Sequence, residues 1–404
     1  MRSDLVRPIA VTAPRIPHRR LAGMYFAYFA FIGGFASYFS LYLQSLGQSA
    51  WQIGVLLSLM QLMRLAAPYV WASLADRRGW RARLLQATLG AALLAYAGLF
   101  ATTSFAGLFV ALTAFAFFSS ATMPLVESMT FAGLRDRVER YGGIRLWGSV
   151  GFILAVLGMG SVLDRVAIAN LLWMLVIPLA ASLVLALGLR DAPARTRQSP
   201  EAVWPGAVRP EVVALLAANV CMNVAHGPLY AFYSIYLAAA GYSSGAIGVL
   251  WSLGVAAEIV IFLTAPRWMT RFAAPDILAA SLAIAVARFA LIGWGIDSPW
   301  LLAIAQLMHA ATFGACHVAS LALINQWFTG ARQVRGQALY LSLVFGAGGF
   351  VGALASGAAW DAIGPQWTFT AASGVAGLGL VLLLRRARLL RRVSRSTVDA
   401  AKPL

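Results

Sequence analysis

The chain contains one segment written twice, and this internal repeat restricts the fold more than any other feature of the sequence. Residues 35–59 and 229–253 align at a constant offset of 194, and Ile53–Leu56 recurs unchanged as Ile247–Leu250. Each copy reads as a helix, a short Gly/Ser turn and a second helix. The sequence therefore predicts two related halves that run in the same direction.

The composition places both halves in a membrane. Hydrophobic residues make up 61% of the 404 residues and charged residues only 11%, which excludes an ordinary soluble domain. Apolar stretches of about twenty residues, enough to cross about 30 Å of hydrocarbon, recur about twelve times. The predicted spans are 21–44, 51–75, 83–102, 104–130, 144–164, 167–189, 211–238, 245–267, 276–296, 299–325, 336–359 and 364–385.

The net charge of +17 follows the predicted topology. All basic residues except Arg64, Arg165 and Arg288 lie in or beside the two termini and the alternate loops. This is the positive-inside bias, so we expect both termini in the cytoplasm, a lipid bilayer around the helices and no nucleic-acid partner. The two cysteines, Cys221 and Cys316, lie inside predicted spans and indicate neither a disulfide framework nor a metal site.

A polar stretch rich in proline and arginine divides the spans six and six. The predicted fold is all-α, with twelve transmembrane helices in two pseudo-symmetric halves of six. Its parts are a cytoplasmic arm 1–20, a first half 21–189, a cytoplasmic linker 190–210, a second half 211–385 and a basic cytoplasmic tail 386–404. The sequence has no GxxxxGK[ST] or HExxH motif, which argues against an ATP-driven protein and against an enzyme. We therefore expect no cofactor, and an ion gradient or the gradient of a solute as the energy source.

The loop after the second span resembles a known signature. Leu74-Ala75-Asp76-Arg77-Arg78-Gly79-Trp80-Arg81 is similar to G-x-L-A-D-R-x-G-R-R of the major facilitator superfamily, although Ala72 replaces the Gly and Trp80 an Arg. That superfamily has twelve helices in two halves, and its Asp and Arg join helix ends on the cytoplasmic side. The resemblance implies such a cytoplasmic latch for Asp76, Arg77 and Arg81; an ordinary anchoring charge cluster is the alternative.

A longer set of residues narrows the resemblance to the phenylpropionate-permease branch, which is related to lactose-permease-type and nucleoside symporters. The matching positions are Gly143–Ser149, His226–Tyr236, Ala240–Tyr242, Leu250–Val255, Glu258, Ile261-Phe262, Arg288, Pro299-Trp300, Gln306, His309 and Cys316-His317. The resemblance implies a monomeric proton symporter of a bacterial inner membrane that imports a small organic solute. An aromatic carboxylate is the first expectation. A sugar or nucleoside symporter, an efflux antiporter and a non-transporting sensor are the alternatives.

Ionisable residues inside the spans are the candidate site, since each costs about 2.5–3.5 kcal/mol to insert. In lactose-permease-like symporters a carboxylate on helix four, an Arg at the start of helix five and a nearby Trp bind the substrate. The resemblance implies this role for Glu127, Arg145 and Trp147. Topology, or a latch with Glu127, is the alternative for Arg145. Arg64 falls on Glu258 at the repeat offset and is a further candidate for binding.

The same family places a Glu on helix eight, an Arg on helix nine and a His on helix ten around the proton site, which implies proton coupling for Glu258, Arg288 and His309 or His317. Burial favours the neutral acid of Glu258 and a guanidinium favours its carboxylate, so its protonation can switch. A static ion pair with Arg64 or Arg288 is the alternative. On a regular helix the two histidines lie about 12 Å and roughly 80° apart, so we expect only one to face the cavity.

Aromatic residues and a helix break complete the predicted site. Tyr38 and Tyr42 on the first helix, and Tyr230 and Tyr236 on the seventh, are candidates for stacking on a substrate ring, with packing as the alternative. Gly227-Pro228 follows His226 in the seventh helix and predicts either a gating hinge or a static kink.

Overall fold

The computed structural model describes residues 18–134, 137–191 and 209–386. All regular structure in these ranges is helical, which confirms the predicted all-α membrane class. Most of the predicted arm, linker and basic tail (1–17, 192–208 and 387–404) lies outside the described residues.

The described residues form eleven helices that are long and apolar enough to cross a membrane. They are α1 His18–Ser45, α2 Ala50–Arg78, α3 Arg81–Ala101, α4 Phe105–Leu134, α5 Tyr141–Leu163, α6 Ile168–Leu187, α7 Pro210–Ala239, α8 Ser244–Met269, α9 Ala274–Trp294, α10 Pro299–Trp327 and α11 Gln333–Arg385. The first ten coincide with the first ten predicted spans, apart from their exact ends.

Helix α11 is unusually long at 53 residues. Its backbone leaves the helical region at Gly364, where φ is 80° and ψ is 172°, and Pro365 follows. Glycine tolerates this positive φ, and proline cannot donate the hydrogen bond that would continue the first part. The break separates a first limb, 333–363, from a second limb, 365–385, which match the last two predicted spans.

The repeat is visible in the local structure of two turns. Gly47 and Gly241, equivalent at the offset of 194, both have positive φ, 78° and 87°. Two residues later, the hydroxyls of Ser49 and Ser243 each accept a hydrogen bond from the backbone N–H three residues further on, which caps α2 and α8. The same short sequence therefore builds the same helix start twice.

The contacts between the two parts of the chain are made mainly by α2 against α11 and by α5 against α8. We call 18–191 the N-terminal half and 209–386 the C-terminal half. The first-loop end carries residues 46–49, and the linker end carries the start of α1 and the end of α6. All buried residues of α8 lie between Ile247 and Gly254, close to the first-loop end. The contact between α5 and α8 is thus concentrated at the first-loop end, whereas α2 and α11 stay in contact as far as a hydrogen bond of 3.2 Å between Tyr69 and Ser342.

Helices α1 and α5 pack backbone to backbone. A side chain at Gly151 of α5 would collide with the carbonyl group of Phe26 in α1. At Gly158, two turns further along the same helix, a methyl group would enter open space. Helix packing therefore requires glycine at position 151 but not at position 158.

We expect Gly151→Ala to destabilise the protein by about 1–3 kcal/mol, because a backbone must move to accept the methyl group. Gly158→Ala is the matched control and should be neutral or stabilising by up to about 1 kcal/mol. Thermal unfolding of the detergent-purified variants measures both. Equal unfolding temperatures for the two variants would contradict the close packing of α1 on α5.

Candidate functional site

Glu258 of α8 and His309 of α10 form a close pair in the C-terminal half. The Glu258 Oε1 atom lies 2.7 Å from His309 Nε2, and the two side chains are 13% and 8% exposed. At this distance one proton lies between the two atoms, whichever group carries it. His309 Nδ1 is buried and has no partner among the described residues. A further proton at Nδ1 would have no acceptor, whereas the Glu258 carboxylate can take one on its other oxygen and keep its hydrogen bond to His309 Nε2.

Arg288 of α9 is fully buried beside this pair. Its Nε atom donates to the Ala305 carbonyl at 2.8 Å, and Nη1 donates to the Thr312 hydroxyl at 3.0 Å. Nη1 also lies 3.2 Å from His226 Nε2, while Nη2 is without a partner in the described part of the chain. A guanidinium without water needs acceptors, and α7 and α10 supply them.

His226 accepts rather than donates at this site. Its Nδ1 atom lies 2.8 Å from the Met222 carbonyl, which can only accept, so Nδ1 carries the proton. Nε2 of the neutral ring is then the acceptor for Arg288. His226 separates the helical segments Pro210–Ala225 and Gly227–Ala239 of α7, and the local break places its ring 5.7 Å from that of His309.

The two histidines of α10 lie on one face of the helix, which differs from the expectation for a regular α-helix. Residues Ala310–Ala315 form a π-helix, whose wider turn reduces the rotation per residue. The rings of His309 and Phe313 stack at 5.4 Å, and those of Phe313 and His317 at 6.3 Å. His309 reaches Glu258, whereas His317 Nδ1 lies 3.3 Å from the Tyr340 hydroxyl of α11.

Glu127 and Arg145 occupy a second polar cluster in the N-terminal half. The Tyr141 hydroxyl donates to Glu127 Oε1 at 3.4 Å. The Arg145 guanidinium lies over the Phe29 ring at 4.1 Å and the Tyr25 ring at 5.7 Å. Such cation–π contacts stabilise a desolvated guanidinium and hold its charge beside Glu127.

Arg145 also interacts with the other half, since its charge acts on Glu258 and His317. The two polar clusters therefore face one shared space. Trp147 does not join them: two residues from Arg145 is about 200° around the helix. Its side chain is 50% exposed, and its ring contacts Phe26.

Arg64 of α2 projects into the same space. Its Nη1 atom donates to Gln61 Oε1 at 3.0 Å, and the residue is exposed. The Arg64 charge acts on the hydroxyl groups of Tyr28 in α1 and Tyr230 in α7. Arg64 and Glu258, which are equivalent in the repeat, thus both face the region between the halves.

Of the four predicted tyrosines, only Tyr230 is partly exposed, and it stacks on His226 at 5.7 Å. The Tyr38 hydroxyl bonds to the carbonyls of Val156 and Ser244 at 2.9 and 3.0 Å, and the Tyr236 hydroxyl to the Gly293 carbonyl at 2.8 Å. Tyr42 is buried beside Phe39. These three rings are committed to packing in this conformation.

The predicted latch and hinge residues are placed as follows. Arg81 Nη2, at the start of α3, lies 3.3 Å from Asp76 Oδ1 in the last turn of α2, and Arg77 is exposed nearby. Pro228 is buried, and a side chain at Gly227 would collide with the Gly352 carbonyl of α11. Packing is thus by itself enough to require glycine at this crossing. Hinge motion at Gly227-Pro228 stays a prediction.

The sequence pointed to Tyr28 as part of the aromatic stripe of the first helix, but it assigned no role in binding or coupling to Tyr141 or Thr312 and no specific one to His226. His226 carried a usable signal, a histidine inside an apolar span, whereas Thr312 resembles any helix-packing threonine. A groove of about 620 Å³ between α3 and α4 is lined by small apolar residues such as Gly98 and Ala111. It offers no charged group to a polar solute, so the central space is the candidate site.

Comparison with known proteins agrees with this architecture. A family model described as the MFS_1 like family matches residues 18–371. The chain belongs to this family. It is 32% identical over 340 residues to the "Probable 3-phenylpropionic acid transporter" of Escherichia coli (strain K12), covering 81% of this chain and 87% of that protein.

Two further matches extend this result. The maltose permease of Geobacillus stearothermophilus is 27% identical over 378 residues, covering 90% of this chain and 93% of that protein. The crystal structure of the nucleoside transporter NupG aligns with a TM-score of 0.78 at 15% identity, covering 91% of this chain and 98% of that chain. The chain is therefore a transporter of the major facilitator type and not an enzyme.

The Arg288 contacts lead to a direct prediction. Thr312→Val removes the hydroxyl acceptor at nearly constant volume and leaves a buried cationic donor unpaired, so we expect a loss of about 1–3 kcal/mol in stability. Thr312→Ser keeps the hydroxyl and is the matched control. If the Thr312→Val and Thr312→Ser variants unfold at the same temperature, the Arg288–Thr312 hydrogen bond does not contribute to stability.

Proposed function

We propose that the protein is a proton-coupled symporter that imports a small aromatic carboxylate across a bacterial inner membrane. The observation that carries this proposal is the Glu258–His309 pair, 2.7 Å apart, which shares one space with Arg64 and Arg145. The 3-phenylpropionic acid named for the E. coli relative has the expected substrate chemistry.

The charges of the central space favour an anion. Arg64, Arg145 and Arg288 provide three positive charges, whereas Glu127 and Glu258 provide at most two negative charges. A monovalent carboxylate would neutralise the excess, and an unbalanced charge inside a membrane protein is costly. Arg64 and Arg145 are the accessible partners for it, because Arg288 is buried and already bonded. Tyr28 and Tyr230 would contact the aromatic ring.

Proton coupling follows from the Glu258–His309 pair. Without an extra proton the pair carries one negative charge, and with it none. The Arg145 charge reaches Glu258 from the other half. A substrate that binds Arg145 would weaken this attraction and favour protonation of Glu258, so solute and proton would bind together. In this scheme Arg288 positions the pair, and His317 is a second proton acceptor on the linker side.

We also propose the full topology. At 1.5 Å per residue the 53 residues of α11 would extend about 80 Å, more than twice the hydrocarbon thickness. Two crossings joined at Gly364 give twelve in total, with six helices in each pseudo-symmetric half. The basic residues of the alternate loops then place both termini and the linker in the cytoplasm. The linker end faces the cytoplasm in this orientation.

A neutral sugar or nucleoside is the second candidate. The maltose permease and NupG are the relatives that favour it, and Glu127 beside Tyr141 and Arg145 offers both acceptors and donors to hydroxyl groups. The charge excess distinguishes the two substrate classes, because a neutral solute leaves it uncompensated.

Purified protein in liposomes with an imposed inward proton gradient tests the substrate. We expect accumulation of 3-phenylpropionate and none of its uncharged amide, maltose or a nucleoside. The amide has nearly the same shape, so the comparison isolates the carboxylate charge. Gradient-driven accumulation of maltose or a nucleoside instead would transfer the proposal to the second candidate, and accumulation of no solute would contradict symport.

Glu258→Gln tests the coupling residue. The amide imitates the protonated acid, so we expect the variant to lose uphill accumulation but to retain exchange of labelled for unlabelled substrate. Glu127→Gln is the comparison variant and should weaken both activities, because Glu127 is proposed to bind substrate. Accumulation at the wild-type level by Glu258→Gln would show that this residue has only a structural role.

A further inference from the structure

Two carboxylates bind across the boundary between the halves at the first-loop end. Asp164 follows the last residue of α5, in the N-terminal half. Both of its oxygens lie 3.1 Å from the backbone N of Gly245 in the first turn of α8, and the Ser243 hydroxyl donates to Oδ2 at 3.3 Å. The carboxylate thus accepts hydrogen bonds from a helix start that belongs to the other half.

The same contact is made in the opposite sense by Asp361. This residue lies near the end of the first limb of α11, in the C-terminal half. Its Oδ2 atom accepts a hydrogen bond from the backbone N–H of Trp51, in the first turn of α2, at 3.1 Å. Trp51 and Gly245 are equivalent at the offset of 194, so each repeat presents the same N–H to a carboxylate of the other half.

The helices that carry the carboxylates are also equivalent, at an offset of 197. This offset relates Asp164 to Asp361 and Val156 to Ala353. Both helices cross the partner helix at a glycine: a β-carbon on Gly54 would lie 2.8 Å from the Ala353 carbonyl oxygen, and one on Gly248 would lie 2.9 Å from the Val156 carbonyl oxygen. The absence of side chains at these crossings brings each aspartate within reach of its helix start.

We propose that Asp164 and Asp361 are a pseudo-symmetric pair of latches that hold the first-loop end closed. The first N–H groups of a helix have no partner within that helix and carry partial positive charge, which an anionic acceptor stabilises. Both aspartates are exposed, so water replaces the contact when the halves separate. The latches therefore set the ratio of closed to open first-loop ends without locking either state. This role rests on the proposed transport function, for which we infer alternating access, in which the central space opens to one side of the membrane at a time.

The test measures the separation of the halves directly. Gln44 and Ala238 are equivalent, exposed residues at the ends of α1 and α7. Spin labels on cysteines at these positions, with Cys221 and Cys316 replaced, report the distance across the first-loop end. We expect Asp164→Asn and Asp361→Asn each to raise the open-to-closed ratio roughly two- to five-fold. The double variant should multiply the two effects, because the latches are separate.

Asp297→Asn is the matched control. This exposed aspartate lies at the same end, and its charge acts on Tyr236 and Tyr242 of its own half. It should leave the distances unchanged. The proposal is overturned if the double variant gives the wild-type distance distribution, or if Asp297→Asn opens the end equally.

A misfolded variant is recognised separately, by loss of the monodisperse peak in size-exclusion chromatography. If the double variant fails that check, the spin-label distances are measured in the two single variants instead. Wild-type distances in both single variants would reject the latches. The distance measurement requires neither a known solute nor a proton gradient. If uptake fails but the latch variants open the first-loop end, the transport proposal is rejected and the latches are retained. If the latch variants keep the wild-type distances, the latches are rejected and the proposal of proton coupling is unaffected.

Discussion

Hydrocarbon offers no hydrogen bond to a buried guanidinium, and the C-terminal half is arranged around that constraint at Arg288. A backbone carbonyl and a hydroxyl of α10 and an imidazole of α7 accept its protons. The imidazole belongs to His226, the turn residue between the two segments of α7, and it accepts because its other nitrogen is committed to Met222. One buried charge thus fixes the relative positions of α7, α9 and α10. The Glu258–His309 pair, with its atoms 2.7 Å apart, lies beside this fixed charge.

The π-helices add a second level of organisation. One lies in α10 and another, Ser342–Gly348, in α11, and they meet where Phe313 contacts Phe345 at 6.0 Å. The altered rotation in α10 lines up His309, Phe313 and His317 toward the linker end. A phenyl ring has no exchangeable proton, so Phe313 separates the Glu258–His309 pair from His317 and Tyr340. Proton transfer between the two groups therefore requires water or a movement of α10.

The spans and the intramembrane charges could be predicted from the sequence because hydropathy and the cost of a buried charge are local properties. The alignment of His309 with His317 could not, since regular spacing rules assume that every turn is an α turn. Trp147 shows a related difficulty: a motif places it near Arg145, but two residues of helix place it on the opposite side. Asp164 and Asp361 were not identified because their offset is 197, while the recognised repeat has an offset of 194.

The two halves are alike at the first-loop end, where they meet, and unlike at the charged positions deeper in the membrane. Helix starts, glycine crossings and aspartates are duplicated at the first-loop end, and a rocking motion about a pseudo-two-fold axis needs matched contacts there. Deeper in the membrane the equivalent positions diverge. Arg64 stands for Glu258, and α1 has Ile32 and Gly34 where α7 has His226 and Pro228, so α1 continues unbroken while α7 breaks. A fully symmetric interior would place equivalent charges in both halves, whereas the divergence gathers Arg288, Glu258 and the three intramembrane histidines in one half. The duplicated segment thus keeps the same contacts in both halves at the first-loop end, while its charged positions differ between the halves deeper in the membrane.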